Sequence, residues 1–113
     1  DGRLDAKRLG LMPIFSAARI LAIEHGVPER STPARLLAAR TQENEKAIDN
    51  LTEAHHILLE EILSQQLRDV ARGLPHGNKI APSEMDEPRR QRLRWALEHV
   101  DGVNNVLGVP VIG

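Results

Sequence analysis

The longest uninterrupted pattern of apolar and polar positions lies in residues 44–73, which contain no internal Gly or Pro. Side chains suited to a core recur there at intervals of three and four, the spacing that places them on one face of an α-helix. The positions on this face are Ile48, Leu51, His55, Leu58, Ile62 and Leu67, with Leu59, Leu63 and Val70 alongside. At about 1.5 Å per residue the helix is about 45 Å long. Because a helix cannot bury such a face against itself, we expect the shorter segments before and after it to pack along it as a bundle.

Two shorter helices are predicted before the long one. Pro13 suits a first helical turn, and residues 14–25 are apolar nearly all round, which indicates that this helix is buried. Gly26 follows as a residue that takes the left-handed conformation and ends the helix. In the second helix Thr32 is the expected N-cap, and the helix continues to about residue 40.

A final helix is predicted after residues 74–83, which contain two Pro, a Gly and an Asn and should form a structured loop. Asp86 is the expected N-cap, and Gly102 is expected to bend or end the helix. The buried face of this helix is predicted at Leu93, Ala96, Leu97, Val100, Val103 and Leu107. No strand pattern is present. The sequence therefore predicts an all-α fold, an up-and-down bundle of about four helices organised on the long one, in a single domain over residues 1–113.

The composition narrows the classes of function. Lys and Arg number 15 against 16 Asp and Glu, for a formal charge of −1, and Phe15 and Trp95 are the only Phe, Trp or Tyr residues. Because neither a basic excess nor aromatic stacking platforms are present, we expect no nucleic-acid partner. No apolar run approaches the roughly twenty residues of a membrane span, and cysteine is absent. We therefore expect a soluble, cytoplasmic domain with no membrane partner.

Several stretches carry a recognisable order of residues. These are Leu-Asp-Ala-Lys-Arg-Leu-Gly-Leu-Met-Pro-Ile over residues 4–14, Ala-Arg-Ile-Leu-Ala-Ile-Glu-His-Gly-Val over residues 18–27, and Ser31-Thr32 followed by Arg35-Leu36. Together they resemble the nucleotidyltransferase substrate-binding domain family. That family comprises helical domains at the carboxyl end of bacterial signal-transduction proteins, which combine cyclic-nucleotide-binding-like and CBS domains with a nucleotidyltransferase domain of the type in the nitrogen-regulatory uridylyltransferase.

The resemblance continues along the chain through residues 58–67, through Asn-Lys-Ile-Ala-Pro at residues 78–82 and through the final helix. The chain departs from it at Gln65, where the family tends to have His, and at Ala81, where the family usually has Asp. Since the sequence starts at Asp1 without Met, we expect it to be the carboxyl-terminal part of a longer multidomain protein.

The resemblance implies a non-catalytic accessory domain that closes over a catalytic domain and helps seat its substrate. The implied partners are the nucleotidyltransferase domain of the same chain and a protein or nucleotide substrate. Catalysis in the family uses a Gly-Ser loop and paired aspartates that hold two metal ions, and neither pattern occurs here. No cofactor is therefore expected in this chain, and Mg²⁺ and a nucleoside triphosphate are expected in the parent protein.

Five polar residues are the candidates for substrate or interdomain contact. Lys7 and Arg8 precede a Gly-Leu-Met-Pro turn, where they face either solvent or the cleft of a neighbouring domain. Arg19 lies among apolar residues, so it either forms an internal ion pair with Asp5 or a Glu of the long helix, or contacts a phosphate or protein substrate. Arg35 belongs on the surface or at a domain interface. The fifth candidate, Asn78, either orders its own turn or meets a ligand.

Other polar residues support weaker hypotheses. His55 and His56 are adjacent and point about 100° apart on a helix, so they cannot share a metal, and no metal site is expected. The basic cluster at residues 89–94 is either a solvated face or a contact for an anionic partner.

Two alternative functions remain open at this stage. One is a dimerisation or scaffolding module, in which an exposed part of the long helix forms a homodimer interface. The other is a ribonuclease of the HEPN type, because Arg94 and His99 match its Arg-x4-His pattern. In such an enzyme the pair would activate a ribose hydroxyl and stabilise the charged phosphate.

Overall fold

The computed structural model describes residues 2–100 and 103. Four α-helices carry the fold: α1 (Met12–His25), α2 (Thr32–Ala38), α3 (Glu45–Ala71) and α4 (Glu87–Val100). In the core, α4 packs along α3, while α1 packs on α2 and α2 on α3. The predicted all-α helical bundle is confirmed. None of the described helices is both long enough and apolar enough to cross a membrane.

The long central helix confirms the prediction for residues 44–73, but its buried face changes character along its length. In the first half the predicted positions Ile48, Leu51 and Leu58 are buried. In the second half the predicted position Ile62 is also buried, but Leu67 is 73% exposed, and the other buried positions are the polar residues Glu61, Gln65 and Asp69. The prediction of an apolar seam is therefore wrong beyond Ile62, because ion pairs and amide hydrogen bonds hold that part of the helix to its neighbours.

The apolar residues that α3 turns outward form a face of their own. They are Leu59, Leu63, Leu67 and Val70, which are 41–73% exposed and follow one another at intervals of three and four. We name this the α3 face.

Only one side of α1 is buried, which corrects the prediction that this helix is surrounded by the core. Its core side consists of Ile14, Ala17, Ala18, Leu21 and Ala22. Phe15 and Ile23 point outward and are 44% and 72% exposed. The helix ends as predicted at Gly26, whose φ of 64° is left-handed.

The caps of the other helices partly follow the predictions. Ser31, rather than Thr32, caps α2, since its hydroxyl accepts a hydrogen bond from the backbone N–H of Ala34 at 3.2 Å. Asp86 caps α4 as predicted and accepts from the N–H of Arg89 at 2.9 Å. Leu93, Ala96 and Val100 face the core, with Val103 packed against it. The predictions for Gly102 and Leu107 lie outside the described residues.

Two short strands tie the chain's first residues to the loop after α3. β1 (Leu4–Asp5) pairs antiparallel with β2 (Lys79–Ile80), with Leu4 opposite Ile80. Strands of two residues are too short to show an alternating pattern, which is why the sequence shows no strand pattern and predicts a loop for residues 74–83. A 3-10 turn, Pro82–Glu84, leads from β2 towards α4.

A turn of π-helix, Lys7–Leu11, connects β1 to α1 and presses closely on α3. A Cβ atom at Gly10 would lie 2.5 Å from Cδ1 of Leu58, a side chain with no exposed surface. The close approach therefore requires glycine at this position.

We expect Gly10→Ala to lower the free energy of unfolding by about 2 kcal/mol, because the added methyl overpacks a core that cannot yield. Urea denaturation of the variant measures this loss. Gly77→Ala is the matched control, since nothing lies within 4 Å of the methyl it would add. Equal stability of the two variants would show that the turn can move away from α3.

Candidate functional site

The loop of residues 74–79 separates two clefts, and Asn78 lines both of them. The Lys7 cleft has a volume of about 430 Å³ and is lined by Lys7, Leu11, Met12, Phe15, Thr32, His55 and Asn78. The Arg3 cleft has a volume of about 530 Å³ and is lined by Arg3, Asp5, Leu74, Pro75, His76, Gly77, Asn78 and Lys79.

The Lys7 cleft combines an apolar wall with a few polar side chains from four separate segments. Lys7 contributes an ammonium group, His55 an imidazole and Asn78 an amide. Burial lowers the pKa of His55, and the neighbouring His56 lowers it further. The imidazole is therefore neutral at pH 7, so that Lys7 is the group in this cleft that attracts an anion. This combination is typical of sites that bind small molecules or single side chains.

Two hydrogen bonds donated by backbone N–H groups hold the polar side of this cleft together. The N–H of Ala6 donates to the carbonyl of Asn78 at 3.1 Å, which ties the loop to the π-helical turn. Asp5 Oδ1 accepts from the N–H of Arg8 at 3.0 Å at the start of the same turn. π-Helical turns occur frequently at functional sites, because they displace side chains from regular helical positions. The contact between the loop and the π-helical turn thus positions both Lys7 and Asn78.

The structure brings two of the five predicted residues together. Lys7 and Asn78 share a cleft, whereas Arg8, Arg19 and Arg35 line neither of the two clefts. Arg8 is exposed on the π-helical turn. Arg35 instead braces the turn before α2, because its Nε donates to the carbonyl of Glu29 at 2.8 Å.

The predicted internal ion pair of Arg19 is wrong. Arg19 is exposed on α1, and among the residues that the structure describes no carboxylate pairs with it. Its apolar neighbours in the sequence suggested burial, but only Ala18 and Leu21 lie in the core, and Ile20 is 42% exposed. The ion pairs with buried carboxylates are made instead by Arg3, which the sequence did not single out, and by Arg89 of the basic cluster.

A polar network is built around the buried side chains of Gln65 and Asp69 and includes Arg3, which lines the Arg3 cleft, together with Arg68, Arg72 and Glu84. Its centre is Asp69, whose side chain is 2% exposed. Both of its oxygens accept from Arg3, at 2.8 and 3.1 Å, and Oδ1 also accepts from Gln65 at 3.0 Å and from Arg72 at 2.7 Å. The Arg3 guanidinium above all holds the pKa of Asp69 far below its ordinary value.

Gln65 connects this network to the chain after β2. Its Oε1 accepts from the backbone N–H of Ala81 at 3.0 Å and from Arg68 at 2.9 Å. Its Nε2 donates to Asp69 at 3.0 Å and to Glu84 at 3.2 Å. The pKa of Glu84 is lowered, first by this bond and then by Arg72. Gln65 and Ala81, where the chain departs from the family pattern, are therefore in direct contact.

The basic cluster at residues 89–94 divides into different roles. Arg89 is part-buried and donates to the buried carboxylate of Glu61, with Nε 3.2 Å from Oε2. Arg90 pairs with Glu87 at 3.2 Å on the surface. Arg92 is exposed. The interpretation of the cluster as a solvated face is therefore wrong for Arg89, which holds α4 to α3.

Arg94 and His99 occupy different surroundings. Arg94 is exposed and lines a largely apolar cleft between α4 and the segment around Leu4. His99 is not among the residues lining that cleft, and its ring stacks on Trp95 with centroids 4.1 Å apart. Its Nδ1 lies 2.8 Å from the carbonyl of Trp95, which leaves Nε2 for other contacts. Because Arg94 and His99 are five positions apart on α4, their side chains project about 140° from one another.

The described residues hold no group of three or more His, Asp or Glu side chains placed to bind a metal ion. The two adjacent imidazoles of α3 diverge as expected. His55 faces the Lys7 cleft, whereas His56 pairs with Glu60 on the exposed side.

Comparison with known proteins gives one match. A family model described as Putative nucleotidyltransferase substrate binding domain matches residues 1–109. Curated proteins give no match, and neither do solved structures.

Proposed function

Since this chain belongs to the family of nucleotidyltransferase substrate-binding domains, we propose that it is a non-catalytic accessory domain that helps seat a substrate against a separate nucleotidyltransferase domain. The observation that carries the proposal is the meeting of Lys7 and Asn78, from distant parts of the sequence, in one cleft. In this proposal the catalytic domain belongs to the same bacterial, cytoplasmic signalling protein. Mg²⁺ and the nucleoside triphosphate are bound by that domain.

The chemistry of the Lys7 cleft fits a substrate with an anionic group next to an apolar or planar part. Lys7 supplies the positive charge, while Asn78 and Thr32 offer hydrogen bonds. Met12 and Phe15 supply an apolar wall. A nucleotide has this character, and so does a protein segment with a carboxylate beside apolar side chains.

Reversal of the charge in the cleft tests the proposal. In the protein that carries both domains, Lys7→Glu is expected to raise the KM for the seated substrate about tenfold with kcat unchanged, because substrate and transition state lose the same contact. Steady-state kinetics with each substrate varied in turn shows whether the nucleotide or the acceptor is the one affected.

Lys46→Glu is the matched control. Lys46 is also an exposed lysine, it lines neither cleft, and it lies in the first turn of α3, where a negative charge is tolerated. Thermal unfolding of both variants confirms that they are folded. Unchanged KM values for both substrates in Lys7→Glu would remove the Lys7 cleft as the seating site.

A dimerisation module is the second candidate, and the α3 face favours it. Leu63, Leu67 and Val70 border a shallow apolar groove with Gln66 and His76, and such a surface is typical of an interface. Sedimentation equilibrium at high protein concentration is expected to show a dimer that Leu67→Glu dissociates. A protein that stays monomeric throughout eliminates this candidate.

A further inference from the structure

The outward side of α1 is apolar, although it faces away from the core. Met12, Phe15 and Ile23 are 49%, 44% and 72% exposed. Together with Arg19 they recur at intervals of three and four, so they lie on one side of the helix. We name these four residues the α1 face. Contiguous exposed apolar surface of this kind typically marks a site of interaction with another protein.

A positive charge lies within this apolar surface. Arg19 occupies the middle of the α1 face, and within residues 2–100 and 103 no carboxylate pairs with it. Residues 6–23 contain no Asp or Glu, but they include Lys7 and Arg8 as well as Arg19. Arg19 is therefore available to a carboxylate of a partner that covers this face.

The formal charge is also distributed unevenly along the chain, with the positive excess in the part that contains α1. Residues 1–42 contain seven Lys and Arg against four Asp and Glu, for a net charge of +3. Residues 43–113 contain eight against twelve, for a net charge of −4. Arg3 and Arg40 pair with Asp69 and Asp49 of the second part, whereas Lys7, Arg8 and Arg19 are exposed on the π-helical turn and on α1. Electrostatic complementarity favours an acidic partner for the part that contains α1 and steers its approach.

We propose that the nucleotidyltransferase domain docks on the α1 face through an apolar surface that presents a carboxylate to Arg19. This inference rests on the proposed function and identifies the surface that the catalytic domain covers. Continuity with the Lys7 cleft supports this occupant, since Met12 and Phe15 belong to both surfaces. A domain seated on the α1 face covers the mouth of the cleft, so that a substrate held by Lys7 lies between the two domains.

Photo-crosslinking in the full-length protein tests the docking surface. Ile23→p-benzoylphenylalanine is expected to crosslink, within one chain, to a peptide of the nucleotidyltransferase domain that mass spectrometry identifies. Leu67→p-benzoylphenylalanine is the matched control, because Leu67 on the α3 face is 73% exposed against 72% for Ile23. We expect no crosslink from position 67 to that domain. A crosslink from position 23 to a second copy of the chain, or no crosslink at all, would overturn the proposal.

Substitution of Arg19 tests the chemistry of the partner. Arg19→Glu is expected to lower the crosslinking yield at position 23 about tenfold, because two like charges then meet in an interface. Arg19→Lys should retain most of the yield. Arg92→Glu, at an exposed arginine on α4, should leave it unchanged. A yield that does not depend on the charge at position 19 contradicts a carboxylate partner.

The crosslinks and the KM values separate this inference from the proposed function. If Lys7→Glu raises a KM while position 23 gives no crosslink to the nucleotidyltransferase domain, substrate seating stands and the docking surface is wrong. If position 23 gives the crosslink while Lys7→Glu leaves both KM values unchanged, docking stands and the seating role of the Lys7 cleft is wrong.

Discussion

Replacement of Gln65 with alanine is expected to lower the free energy of unfolding by about 3 kcal/mol. Gln65 is 1% exposed and both ends of its amide are hydrogen-bonded. The substitution leaves the buried N–H of Ala81 without an acceptor and opens a cavity beside Asp69. For a domain of this size such a loss corresponds to a fall of about 15 °C in Tm.

The neighbouring glutamine provides a matched control for this measurement. Gln66 lies one position further on α3, is partly exposed, and makes a single hydrogen bond to the carbonyl of Gly77 at 2.7 Å. Gln66→Ala is expected to cost less than about 1 kcal/mol, because water replaces the lost partner. Urea denaturation of both variants compares them directly. Equal losses would show that Gln65 does not connect α3 to the segment after β2.

Acidification is expected to destabilise the domain steeply below about pH 4, and Asp69→Asn is expected to remove much of that dependence. The hydrogen bonds from Arg3 lower the pKa of Asp69 far below its ordinary value of 3.8. A carboxyl whose pKa is lower in the folded than in the unfolded state stabilises the fold above the unfolded pKa. That contribution is lost as the pH falls through the folded pKa, because the unfolded chain binds the proton more readily.

Denaturation at a series of pH values between 7 and 2 measures the contribution of Asp69. Asp49→Asn is the control, since Asp49 pairs with Arg40 at 2.8 Å but its side chain is 57% exposed. Ion pairs in solvent contribute little to stability, so this variant should keep the pH dependence of the native protein. If Asp69→Asn and Asp49→Asn show the same slope, burial of the Arg3 pair does not govern acid unfolding.

The period of apolar residues predicted the existence and length of α3, but beyond Ile62 it could not predict which side of the helix is buried. The buried side is determined by two ion pairs. Arg3, which lies 66 residues before Asp69 in the sequence, pairs with Asp69, and Arg89 on α4 pairs with Glu61. Leu63 and Leu67 fit the helical pattern as well as Glu61 and Gln65 do. Hydrophobicity alone favours burial of the leucines, but ion pairs between distant segments turn the polar side of the helix inward instead.

The sequence singled out two residues of the candidate site, Lys7 and Asn78, but not its geometry. Lys7 was singled out by its place before a turn, and Asn78 by its place in a loop. Their meeting depends on the two-residue ladder between β1 and β2 and on the bond from Ala6 to Asn78. Arg19 was misplaced because apolar neighbours on both sides suggested burial, whereas α1 is covered on one side only.

The pairing of β1 with β2 sets an order of events during synthesis. Leu4 pairs with Ile80, so the ladder between β1 and β2 cannot form until residue 80 has left the ribosome. By then the residues of α1, α2 and α3 have all been made. The ion pairs of Arg3 with Asp69 and with Glu84 likewise form only after those residues have been synthesised. Because contacts between distant residues form late, the segment before α1 that supports the Lys7 cleft is among the last parts of this domain to become fixed.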